Sequence, residues 1–214
     1  VAEVEKLLAD YPAPDGVDLE VGGTVEDQGD AFGDLGTLLI LIVILVYIVM
    51  ATQFESLKFP FIIMFTIPFA FTGVFLALWM TSTPLSLIAL IGAIMLVGIV
   101  TKNGIVMVDY MNLLVERGSG VFDAVIAGGK SRLRPVLMTS FTTILGMLPL
   151  AIGTGAGSET WQPMGIAVIG GLTCSTLLTL FIIPALYSVF VNRSQRKEKE
   201  KLARLSAEHQ ASVH

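Results

Sequence analysis

Lys102 is the residue whose setting most needs a chemical explanation. It lies 17 residues beyond Leu85 in an apolar run, residues 85–108, interrupted only by Lys102 and Asn103. That distance is about 26 Å of helix at roughly 1.5 Å per residue. An ammonium group at the centre of a bilayer costs roughly 2.5–3.5 kcal/mol on insertion scales. Two arrangements relieve that cost: the amine faces a bundle interior and meets a carboxylate or carbonyl, or it snorkels to the headgroups. Asp109 and Tyr110, seven and eight residues on, mark the polar end of the run. A second polar group, Thr139, Ser140, Thr142 and Thr143, opens another apolar run. Its hydroxyls can share hydrogen bonds but cannot neutralise an ammonium. No Asp or Glu lies inside any apolar run. The counter-charge to Lys102 therefore belongs to a part of the polypeptide outside this sequence or to another subunit.

Other candidates for chemistry are weaker. Gly129-Lys130-Ser131 looks like the end of a phosphate-binding loop, but the motif needs glycine where Ala124 stands, and no strand precedes it. Arg132 and Arg134, before Pro135, read as basic anchors at a helix start, with Arg132 also able to line a proton exit. His209 and His214 show no metal-ligand spacing, and no nucleophile–base pair is evident. The sequence thus points to no metal, no cofactor and no enzyme. Cys174, the single cysteine, excludes an intrachain disulfide.

The elements that must position these groups are membrane helices. Of the 214 residues, 54% are hydrophobic and 14% charged. Soluble chains carry roughly 25% charged residues. Crossing a bilayer takes about 20 helical residues, and five runs qualify: residues 35–52, 59–80, 85–108, 135–153 and 164–191. Pro68, Pro149 and Pro184 fall within them, as packed membrane helices tolerate. Gly92, Gly98, Gly104, Gly165, Gly170 and Gly171 suit close helix packing. The expected fold is an all-α membrane protein of five spans with a short α/β extramembrane remnant at residues 1–34. In that remnant Val4, Leu7 and Leu8 have helical spacing, and residues 17–21 alternate like a strand. The chain opens on Val1 in polar sequence and reads as part of a longer polypeptide.

Charge sets the orientation. Placing successive loops on alternating sides leaves Lys6 alone on one face. The other face collects Lys58, Arg117, Lys130, Arg132, Arg134 and the tail from Arg193 to Arg204. Basic loops stay in the cytoplasm, so residues 192–214 are expected there and the acidic residues 1–34 outside. The tail is read as a solvated arm with weak attraction to anionic lipid. The acidic bulk charge of −5 averages over these opposed ends and gives no reason to expect nucleic acid.

Residues 98–110 (Gly-Ile-Val-Thr-Lys-Asn-Gly-Ile-Val-Met-Val-Asp-Tyr), residues 132–140 (Arg-Leu-Arg-Pro-Val-Leu-Met-Thr-Ser), the loop from Gly153 to Glu159 and the turn from Gln53 to Leu57 form one combination. Together they resemble the resistance–nodulation–division (RND) transporters. The resemblance runs from about Gly33 to Val191 and implies helices eight to twelve of a twelve-helix transporter, with residues 1–34 closing a periplasmic porter loop. Lys102-Asn103 is similar to the hydrophobe/amphiphile multidrug branch and less so to the heavy-metal branch. The resemblance further implies a proton relay of Lys102, Thr139 and Arg132, with two aspartates on the absent fourth helix as partners of Lys102. It implies drug/proton antiport of amphiphilic compounds in the inner membrane of a Gram-negative bacterium, with protons as coupling ion. The implied partners are the missing N-terminal half, further copies in a homotrimer, a periplasmic adaptor and an outer-membrane channel. The alternatives are a protein-export accessory of the SecD/SecF type, whose helices carry other motifs, and a membrane assembly subunit without transport of its own.

Overall fold

The structure is a computed structural model that describes residues 24–153, 155 and 157–212. Within them every regular element is a helix. In chain order these are α1 (Thr24–Phe54), α2 (Lys58–Met64), α3 (Thr66–Met80), α4 (Leu87–Glu116), α5 (Val121–Ile152) and α6 (Ser158–Ser212). Helices α2 and α3 together form one span, so among the described residues five helices or helix pairs are long and apolar enough to cross a membrane. Their outward faces carry exposed Ile44, Leu45, Phe61, Phe75, Trp79, Phe141 and Phe181. A water-soluble protein rarely tolerates so continuous an apolar surface. This is a multi-pass membrane protein.

The helices run further than the apolar runs that revealed them. The expected α/β remnant is corrected where it can be seen: residues 24–34 continue α1 as helix. The helical spacing at Val4–Leu8 and the strand at residues 17–21 lie outside the described residues. Helix α5 starts at Val121, not at Pro135, and its first turns hold Asp123. Proline favours a helix's first turn, but here it lies mid-helix, and Gly128 packs against Met111 of α4 to carry the added turns. The second span breaks at Phe65 for a reason written in Pro68. That proline has no N–H for the carbonyl four residues earlier, at Met64. Thr66 Oγ1 donates to the Ile63 carbonyl at 2.6 Å beside the break.

Turn chemistry agrees with the sequence. Ser86 caps α4 by accepting from the Ala89 amide at 3.2 Å. Gly153 ends α5 in the left-handed region, φ +73°, which glycine enters without a Cβ clash. Gln162 of α6 then donates to the Ala151 carbonyl at 3.1 Å, supplying one of the donors that the end of α5 lacks.

Helix α6 is the mast of the assembly, packing along α2, α3, α4 and α5. Two apolar clusters stack along it. One joins Ala70, Val74 and Leu78 to Ala93, Leu96, Val100 and Leu172. The other joins Met50, Ile62 and Ile63 to Met107, Met111, Ile183 and Tyr187. Tyr187, buried in the second, donates to Asn112 Oδ1 at 2.7 Å and stacks on Phe59. Helix α3 approaches α6 so closely that a Cβ on Gly73 would stand 2.7 Å from the Gly170 carbonyl oxygen. Ser140 of α5 and Thr176 of α6, both buried, share a hydrogen bond of 2.9 Å.

Two outcomes follow for stability in detergent. Gly73→Val forces α3 and α6 apart, and overpacking of this kind costs about 1–3 kcal/mol. The thermal unfolding midpoint falls accordingly, while Gly146→Ala, where a methyl meets open space, leaves it near wild type. In a double-mutant cycle, Ser140→Ala and Thr176→Ala show a coupling of about 1 kcal/mol; additive losses would mean that the bond contributes nothing to holding α5 against α6.

Candidate functional site

Helix α4 turns one face to the mast and the other outward. Leu96, Val100, Gly104, Met107 and Met111 recur at helical spacing and are buried. Gly98, Lys102 and Asp109 occupy the opposite, exposed face. Lys102 therefore does not point into the core of these five spans. It opens into a groove whose walls are α1 and α5, which both pack on α4 and do not touch each other.

Lys102 belongs to three adjoining hollows. The largest, about 450 Å³, is bounded by Lys102, Pro135, Met138, Thr139, Thr142 and Thr143. A smaller one of about 150 Å³ lies between Ile99, Lys102, Asn103, Thr139, Ser140 and Thr143. The third, about 370 Å³ and mostly apolar, lies toward α1, with Leu45, Val49 and Thr101 among its walls. None of the lining residues bears a carboxylate. The threonines that could solvate an ammonium also serve their own backbone: Thr139 Oγ1 donates to the Val136 carbonyl at 3.0 Å, and Thr143 Oγ1 to that of Thr139 at 2.9 Å. Their lone pairs remain open to further donors. Among the described residues no group of three or more His, Cys, Asp or Glu could hold a metal ion.

Of the three expected relay residues, the structure brings two together. Lys102 and Thr139 line the same hollows. Arg132 does not join them, because it lies seven residues, about 10.5 Å, back along α5. Its guanidinium stacks instead on the ring of Tyr110, 4.5 Å from the centroid. Its buried Nε has no hydrogen-bond partner among the described residues. Sequence reasoning passed over Tyr110 as an interface marker and did not pair Thr176 with Ser140. The antiparallel register of α4 against α5 gives the missing signal. Gly128 meets Met111, Arg132 meets Tyr110, and Thr139 meets Asn103 and Lys102, so successive partners climb one helix as they descend the other.

Comparison with known proteins places this geometry. Residues 1–191 match the family described as AcrB/AcrD/AcrF. The chain is 37% identical to the swarming motility protein SwrC of Bacillus subtilis, over 92% of this chain and 19% of that protein. It is 37% identical to the cobalt-zinc-cadmium resistance protein CzcA of Cupriavidus metallidurans, over 94% of this chain and 18% of that one. It is 38% identical to the multidrug resistance protein MdtC of Yersinia enterocolitica, over 95% and 20%. A crystal structure of a heavy metal efflux pump superposes with a TM-score of 0.77 at 31% identity, covering 89% of this chain and 19% of the pump. The chain thus spans about a fifth of the length of these relatives, and both multidrug and heavy-metal proteins stand at similar identity. By sequence and by fold alike, this chain belongs to the AcrB/AcrD/AcrF family of RND transporters, a family of transporters and not of enzymes.

Proposed function

We propose that this chain is the C-terminal membrane part of a proton-coupled efflux transporter that exchanges protons for amphiphilic compounds. The observation that carries the proposal is the Lys102 amine in an open groove, faced by Thr139 and Thr143 and by no carboxylate among the described residues. In hydrocarbon such an amine needs an anionic partner. Two aspartates on a helix of the missing N-terminal half, docked over the groove between α1 and α5, meet that need. Protonation of those carboxylates removes their charge and loosens their hold on Lys102. The helix that bears them then shifts against α4, and the motion passes to the extramembrane porter domain that binds substrate. Thr139 offers a hydroxyl to the amine, and Arg132 supplies a fixed charge nearer the basic loops.

In this reading residues 1–34 end the periplasmic porter loop, residues 35–191 carry the spans and residues 192–214 lie in the cytoplasm. The assembly is a homotrimer in the inner membrane of a Gram-negative bacterium, served by a periplasmic adaptor and an outer-membrane channel. Lys102-Asn103 supports the amphiphile branch. A second reading, export of divalent metal cations, is favoured by the likeness to the heavy metal efflux pump and to CzcA.

The relay is tested in the complete transporter. Lys102→Ala reduces efflux to background while membrane insertion and assembly persist. Lys102→Arg fails too, since a planar guanidinium does not reproduce a compact ammonium. Both are read by substrate accumulation in cells with expression controls, and wild-type efflux by Lys102→Ala removes the relay role. The cargo is tested separately by comparing cells for resistance to amphiphilic dyes and to zinc and cobalt salts. Protection against dyes alone supports the first reading, and protection against the metals alone replaces it with the second.

A further inference from the structure

The contact between Arg132 and Tyr110 has no part in the helix core. Tyr110 is only partly buried, one residue beyond exposed Asp109, on the side of α4 that faces α5. Arg132 comes from α5, and its guanidinium carbon lies 4.5 Å from the ring centroid. That distance is well inside the range in which an aromatic face attracts a cation. Among the described residues the buried Nε–H of the same guanidinium has no acceptor. A buried donor without an acceptor is unfavourable, and attraction to the ring offsets part of that cost. Its immediate neighbours in sequence, Ser131 and Leu133, offer no carboxylate. The ring of Tyr110 is the group that the structure sets against it.

Position along the helices gives the contact its meaning. Tyr110 lies seven residues from Asn103, and Arg132 seven residues from Thr139. Two helical turns bring each residue back to nearly the same face. The stacked pair therefore closes the α4–α5 seam directly below the small hollow of Lys102, Asn103, Thr139 and Ser140. A guanidinium keeps its charge in a protein, so Arg132 is a fixed cation and not a carrier of the proton. Where that cation stands decides its effect on charge moving between the Lys102 hollow and the basic loops.

We infer that Tyr110 is a positioning residue, whose ring clamps the Arg132 guanidinium as a fixed cation at the end of the Lys102 groove. The inference rests on the relay reading given above. It is tested in the complete transporter by substrate accumulation and by proton uptake into proteoliposomes. Tyr110→Phe keeps the ring and retains efflux within about twofold of wild type. Tyr110→Leu loses the cation-binding face and lowers efflux about five- to tenfold, to the level of Arg132→Ala. The double variant Tyr110→Leu/Arg132→Ala is no worse than Arg132→Ala, because the ring acts only through the guanidinium. Wild-type efflux in Tyr110→Leu, equal loss in Tyr110→Phe, or additive losses in the double variant each overturn the clamp. Lys102→Ala in the same assay separates the two ideas. If it transports normally, the relay reading fails; if it is inactive while Tyr110→Leu transports normally, only the clamp fails.

Discussion

A positive charge surrounded by lipid has to be answered by negative charge or reach water, and the arrangement around Lys102 is organised by that requirement. Among the described residues no carboxylate lines the hollows that Lys102 borders. The amine instead opens into a groove whose polar lining is hydroxyl and amide. Hydroxyls lower the cost of holding an ammonium without cancelling its charge. The described lining of the groove thus solvates the amine without answering its charge.

Packing divides the helices into a fixed group and two flanks. Helix α6 holds α3 and α4 through close glycine contacts and a continuous apolar core. Helices α1 and α5 bound the groove, and each leaves most of its surface outside the core. Membrane helices gain little from hiding apolar surface from lipid that is equally apolar. What holds α5 is therefore shape and polar contact, notably Ser140 against Thr176 and Arg132 against Tyr110. These two contacts lie on either side of the level of Thr139, one against the mast and one against α4.

The spans were legible in the sequence because a bilayer imposes a length, and the five apolar runs meet it. Their helical ends were not. Hydropathy reports where the lipid is, not where the backbone stops bonding to itself, so residues 24–34 and 121–134 were read as loops or remnants although they are helix. The break at Phe65 was hidden for a similar reason: Pro68 was visible, but its effect falls on the carbonyl four residues before it. Lys102 and Thr139 were each conspicuous, one as a charge in an apolar run and the other within a hydroxyl cluster. Their meeting depends on how α4 and α5 slide against one another, which no single run encodes. The same register turned Tyr110 from a marker of the membrane edge into the partner of Arg132.

Helix α5 runs from Val121 to Ile152, about 48 Å, with Pro135 and Pro149 inside it. Arg132 and Thr139 stand on opposite sides of Pro135, whose ring nitrogen has no hydrogen for the carbonyl of Ser131. The absent bond makes a joint in the shaft between the guanidinium and the hydroxyl. The stretch that carries Thr139 can tilt at that joint without dragging the stacked arginine with it.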